Sequence, residues 1–294
     1  MTKIILTKPF GPTKTKPNLM DSSAIRTTAS HIMVISALTA LLLPVYWLVL
    51  TSFKPLEDLF VSPPQLIPEN FTFKNYIAQF NPFLIQLFIN SFVVASATAF
   101  FSTFAGSLCG YAISRFAFNQ KRIVLIFFIA AMAFPTPLLM MSMYSMFLKM
   151  NILDTYFALI LGHTATTLPL TVWLMTNFID QVPVDMEEAA LVDDVSPFQI
   201  LIHIILPMVR PGLAASAIFV FIASWNELIM GLIFVSSPEV RTLPAGITNS
   251  FLGEFEGDWS EMMALAVMVT LPIFLIFMVT QKSVLKGMTS GAIK

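Results

Sequence analysis

Six separated apolar stretches constrain this chain more than any other feature. They run over residues 32–53, 83–113, 124–147, 156–178, 213–235 and 262–280, and nearly all of the charge lies in the breaks between them. A helix needs about 20 mostly apolar residues to cross the ~30 Å hydrocarbon layer of a bilayer, and each stretch is long enough or nearly so. Lipid offers no partners for backbone N–H and C=O groups, so such stretches are expected to be helical. The expected architecture is an all-α integral membrane protein whose six transmembrane helices occupy residues 31–282. Composition agrees, with 56% of residues hydrophobic and 11% charged, against roughly a quarter charged in soluble domains.

Six crossings put both ends of the chain on one side, and the distribution of Lys and Arg predicts which side. With the ends in the cytoplasm, the inner set is Lys3, Lys8, Lys14, Lys16, Arg26, Arg115, Lys121, Arg122, Arg210, Lys282, Lys286 and Lys294, and the outer set is Lys54, Lys74, Lys149 and Arg241. The expected localisation is therefore the cytoplasmic (inner) membrane of a prokaryote, multi-pass, with cytoplasmic N- and C-termini. Residues 1–30 are rich in Lys, Thr and Pro, and the apolar run after them exceeds a signal-peptide core, so a polar cytoplasmic tail followed by a retained anchor is expected. Residues 283–294 are expected to form a second short cytoplasmic tail. With 16 basic and 17 acidic residues there is no cationic surplus to favour nucleic acid. Cys109 is the only cysteine, which excludes an internal disulfide and any cysteine-based zinc or iron–sulfur site.

The segment 181–211 departs from this charge pattern, because it is acidic on the side where cations are expected. Pro183 suits a helix start, and Asp185, Glu187 and Glu188 fall in the first turn, where carboxylates complement the helix dipole. The expected stop is Asp193–Asp194. Ser196 and Pro197 then read as an N-cap and first position of a second helix, running to about Leu206, where Pro207 ends or kinks it. Leu191, Val195 and Phe198 recur at helix-like spacing, so two short amphipathic helices lying along the membrane are expected. On these physical grounds the segment is equally well a plain connecting hairpin.

The run EAALVDDVSPFQILIHIILP, residues 188–207, resembles the EAA loop in the membrane subunits of ATP-binding-cassette importers. Glu188, Ala189, Ala190, Asp193, Ser196, Ile204, Leu206 and Pro207 stand where that pattern has them. Asp194 replaces its turn glycine and Leu201 its usual Phe. Asp enters the left-handed region at a cost on the order of 1 kcal/mol. Further likeness to the maltose-type carbohydrate permeases lies in Asn90–Ser91, in Tyr111–Ala112 with Arg115 and Phe116, in Ser224–Trp225–Asn226–Glu227, in Thr242–Leu243–Pro244, and from Gly257 through Trp259 and Pro272 to Gln281 and the closing KGMTSGAIK. The resemblance implies a type I importer permease fold carrying a cytoplasmic coupling helix, with Glu187, Glu188, Ala189, Ala190, Asp193, Asp194, Ser196 and Pro207 at the coupling element. It implies a second permease subunit as heterodimer partner, dimeric ATPase subunits that bind ATP and Mg, and an extracytoplasmic sugar-binding protein. No cofactor is expected on this chain.

Within the expected bundle, Trp225, Asn226 and Glu227 place polar groups in an apolar segment. Such groups normally face a bundle interior or an aqueous cavity. With Asn90 and His163 they are the candidates for the solute pathway or the interface with the second permease. The stripe Gly162-His163-Thr164-Ala165-Thr166-Thr167 fits close helix packing better than a ligand site. Pro135 and Pro137 are expected to kink the third crossing. The outer segment 236–261 carries Glu239, Glu254, Glu256 and Asp258 and reads either as a contact for the binding protein or as a solvated cap. The chain lacks GxxxxGK[ST], HExxH and GxSxG, so no hydrolase is read in it. The alternative class is a secondary transporter or channel that works without an ATPase.

Overall fold

In the computed structural model, residues 22–251 and 258–290 are described. Most of the expected N-terminal tail, the last four residues and the acidic positions Glu254 and Glu256 lie outside them. The first helix, α1 (Ser22–Ser52), is exposed over residues 27–47 and becomes buried only at its end, at Thr51 and Ser52. It begins inside the segment expected as polar tail. A short α2 (Lys74–Gln79) leads to α3 (Pro82–Arg115), which is started by Asn81 accepting the Leu84 amide proton at 2.8 Å, with Pro82 in its first turn.

The third crossing is two helices, α4 (Lys121–Met132) and α5 (Thr136–Lys149), which meet at 96°. A kink was expected there, and the chain breaks outright. Pro135, without an N–H, stands just before α5, and Pro137 takes the next helix's first turn. Next come α6 (Tyr156–Ile179), α7 (Asp185–Val192) and α8 (Pro197–Met208). An 85° bend at Val209 then leads into α9 (Arg210–Trp225). Pro207 does not end α8. Instead residues 201–205 widen into a π turn in which the Leu206 amide reaches back to the Leu201 carbonyl, and the bend follows two residues later.

The expected fifth crossing over 213–235 is also not one helix. It stops at Trp225, and α10 (Ile229–Phe234) restarts because Glu227 Oε1 accepts from the Ile229 and Met230 amides, both at 3.0 Å. The chain closes with α11 (Leu243–Phe251) and α12 (Trp259–Ser290), the latter continuing as helix into the expected C-terminal tail. Among the described residues, four helices are long and apolar enough to cross a membrane, or up to 6 if each bent pair is one span.

The centre of the molecule is the α3–α6 contact. Ser102, Gly106 and Gly110 lie one turn apart on α3 and let the two backbones touch: a Cβ on Gly106 would sit 2.8 Å from Thr171 Cβ, and one on Gly110 2.9 Å from the Thr176 nitrogen. Ser102 and Thr171 hydroxyls bond at 2.8 Å inside this seam, and Thr167 donates to Ser102 at 3.1 Å. In lipid, helix association relies on such close approach, because apolar side chains gain nothing by leaving hydrocarbon for hydrocarbon. Apolar clusters sit above and below. One holds Leu87, Phe221 and Trp225, a second Phe147, Leu159 and Phe234, and a third, at the opposite end, Tyr111, Met175, Ile179, Ile200 and Ile205.

Candidate functional site

The acidic segment folds as two helices joined by a tight stop. Asp194 has φ 56°. Its N–H donates to the Leu191 carbonyl at 3.1 Å, and the Val195 N–H donates to the Ala190 carbonyl at 3.2 Å. These are the two bonds of a Schellman stop, normally built around glycine, and Ala190 and Val195 both pack against the apolar cluster of Tyr111, Met175 and Ile200. Asp194 therefore does the glycine's conformational work. Ser196 then forms a full capping box: its hydroxyl accepts from the Gln199 amide at 3.4 Å while Gln199 Oε1 accepts from the Ser196 amide at 3.2 Å.

The predicted residues of this element separate onto two faces. Glu188, Ala189, Asp193, Asp194 and Ser196 are exposed. Glu187 is buried and points away from them, hydrogen-bonded by Tyr111 at 3.1 Å and paired with Arg115. Pro207 is half-buried within α8, whose Ile200, Leu201 and Ile205 are buried against Tyr111, Met175 and Ile179. Thus α8 is held in the protein core and does not lie free along a membrane, while α7 stands out from it. Around Glu188 the exposed surface is apolar: Met186 is 47% exposed, Leu191 51%, Val192 83% and Phe198 58%. Met186 and Val192 were missed in the sequence, where the readable signal was an apolar side chain left on a helix whose inner face was already accounted for.

The expected pathway residues divide as well. His163 and Glu227 do meet: His163 Nδ1 bonds Ser224 Oγ at 2.5 Å, and its Nε2, buried and without a hydrogen-bond partner, lies 3.5 Å from Glu227 Oε2. Trp225 turns away into the apolar core, stacked on Phe221 at 5.7 Å. Asn226 is exposed and donates to the Ile222 carbonyl at 2.9 Å. Asn90 is fully buried and pins the connection after α10. Its amide donates to the Glu239 and Arg241 carbonyls, both at 2.8 Å, and its oxygen accepts from Tyr156 at 2.7 Å.

Near that connection Asp154, with φ 61°, accepts from the Ser236 and Ser237 amides and the Ser237 hydroxyl, each at 2.9 Å. The Ser237 amide is the main reason its carboxyl sits below the usual carboxylate range. Partial burial opposes the shift, and the Ser236 amide, Ser237 hydroxyl and Arg241 add to it. Between α3, α9 and α12 an open apolar groove of about 570 Å³ is lined by Ala99, Phe100, Phe104, Ala217, Phe221 and Ile276, among others.

The model of a family described as "Binding-protein-dependent transport system inner membrane component" matches residues 102–290. The chain is 30% identical over 271 residues to a sulfoquinovosyl glycerol transport system permease protein of Agrobacterium fabrum, covering 92% of this chain and 93% of that protein. It is 32% identical to a trehalose/maltose transport system permease protein of Thermococcus litoralis, covering 86% of this chain and 91% of that protein. Its fold is that of a chain in a bacterial ABC transporter involved in the import of the acidic polysaccharide alginate, with a TM-score of 0.73 at 19% identity over 91% of this chain and 99% of that chain.

Proposed function

The chain belongs to the family of binding-protein-dependent transport system inner membrane components, and from that premise we propose that it is the membrane-spanning permease subunit of an ATP-driven importer of a carbohydrate or polyol-like solute. It is a multi-pass membrane component of transport, not a catalytic subunit. Its relatives are named for sulfoquinovosyl glycerol and for trehalose and maltose, which supports a glycoside or oligosaccharide as cargo.

In this reading the chain pairs with a second permease subunit, and two ATPase subunits carrying ATP and Mg dock at the 181–211 end. A sugar-loaded binding protein docks at the opposite end. The observation that carries the reading is the projecting α7, with Glu188 amid exposed Met186, Leu191 and Val192, joined through a left-handed stop to the core helix α8. Acidic and apolar groups on one short rigid element suit a groove on a protein partner. Movement of such an element transmits work when its contacts differ between two states of that partner. The groove between α3, α9 and α12 is the surface offered to the second permease, and the His163–Ser224–Glu227 cluster is the polar group nearest a solute path.

The test is co-expression of the tagged chain with its neighbouring permease and ATPase, reconstitution, and ATP hydrolysis with and without sugar-loaded binding protein. A stable complex whose hydrolysis rises with loaded binding protein supports the reading. Solute movement through the isolated chain without ATP overturns it.

A further inference from the structure

We propose that Arg115, the last residue of α3, is the joint that makes α7 and α3 move as one body, a positioning residue for the coupling stroke; the inference rests on the functional reading above. Its planar guanidinium spans three segments. Nε donates to the Glu187 carboxylate on α7. Nη2 donates to the carbonyls of Ile179, at the end of α6, and Val182, in the link to α7, at 3.0 and 2.8 Å. Nη1 donates to Ser114 Oγ at 3.0 Å, and that hydroxyl donates in turn to Asp180. One turn back along α3, Tyr111 donates to the other Glu187 oxygen at 3.1 Å.

Beyond the stop that leads into α8 and the half-buried Ala190, little else ties α7 down. Glu187 is the only buried residue of that helix, and among the described residues no other α7 side chain makes a hydrogen bond. The side chains of Arg115 and Glu187 are 11% and 6% exposed, so the pair is largely out of water. Burying both charges brings little net stability, whereas the fixed fork of donors sets an orientation that a flexible ammonium does not. A push on α7 therefore reaches the end of α3 through this pair, beside its passage through the stop into α8, and α3 is the helix locked against α6 by Gly106 and Gly110.

Removing either charge alone strands the other in a buried site, so the informative variant is Arg115→Met combined with Glu187→Gln, with Arg115→Lys beside it. In the reconstituted complex with its ATPase, partner permease and sugar-loaded binding protein, the readout is solute transported per ATP hydrolysed, alongside complex yield. The joint predicts that the double variant assembles and hydrolyses ATP but moves about tenfold less solute per ATP, with Arg115→Lys intermediate. Wild-type transport per ATP in the double variant overturns the joint alone. So does a parallel fall of yield, hydrolysis and transport, which marks a structural staple. A wild-type complex that never couples ATP to transport sinks the functional reading, and the joint with it.

Discussion

Two adjacent carboxylates on α7 have opposite fates, and the contrast yields the sharpest residue-level test. Glu187 is enclosed by Arg115 and Tyr111, while Glu188 faces outward among apolar side chains. Reversing the outward charge leaves every internal contact in place, so Glu188→Lys inserts normally but recovers less ATPase on affinity purification. The expected fall is about tenfold, equivalent to ~1.4 kcal/mol of docking energy. Wild-type recovery would remove Glu188 from the docking face. Asp154 supports a second test. Its folded-state pKa is depressed, so its contribution to stability is present above the unfolded value of about 3.9 and is lost as pH falls through the lower folded value. Asp154→Asn tolerates the same left-handed backbone and lacks the titration. The melting temperature of the wild type should therefore drop relative to the Asn variant as pH falls below about 4. Parallel melting profiles from neutral pH to pH 3 would show that the clamp on Ser236 and Ser237 carries no linked stability.

At the scale of helices, apolar length and polar punctuation made most elements readable, and what escaped was where a helix gives way to a local hydrogen bond. The stop at Asp193–Asp194 and the Ser196 cap were legible because capping depends on near neighbours in sequence. The break after Trp225 was not, since 213–235 is apolar apart from Ser216, Ser224 and the Asn226–Glu227 pair. Only the folded chain shows Glu227 turning its carboxylate back onto the amides that start α10. Asn90 and Trp225 were read as candidates for the pathway or the permease interface, and within this chain they contact internal carbonyls and an apolar cluster, which the sequence did not show. Burial direction on a helix surrounded by lipid leaves no hydrophobic periodicity to read, because both faces are apolar. The α3–α6 seam shows the same limit: its small residues are visible in sequence, and their register against Thr171 and Thr176 is not. Gly106→Leu should force the helices apart and cost about 1–3 kcal/mol, measured as a lower midpoint of thermal unfolding in detergent, with Gly110→Leu similar. An unchanged midpoint would mean that the seam yields without strain.

For the whole molecule, the contacts sort the loops into two ends, and that sorting makes orientation measurable. Arg115, Lys121 and Asp180 gather around Glu187 and the 181–211 segment. At the other end Asn90 holds the 239–241 backbone, Asp154 holds Ser236 and Ser237, and Gln79 reaches Glu261 at 3.3 Å. Of the basic residues placed inside by charge counting, Arg115 and Lys121 make their contacts at the first end, and Arg241 of the outer set bonds the Ser236 carbonyl at the second. Positive-inside bias therefore predicts that the Glu187 end is cytoplasmic. Because Cys109 is the only native cysteine, a Cys109→Ala background allows single-cysteine reporters. Ser237→Cys should react with a membrane-impermeant maleimide added to intact cells from which any outer membrane has been stripped. Ala189→Cys should react only after permeabilisation. Labelling of both from outside, or of Ala189→Cys alone, would invert the topology, move α7 away from any ATP-binding partner, and leave the chain as a transporter whose acidic element faces the binding-protein side.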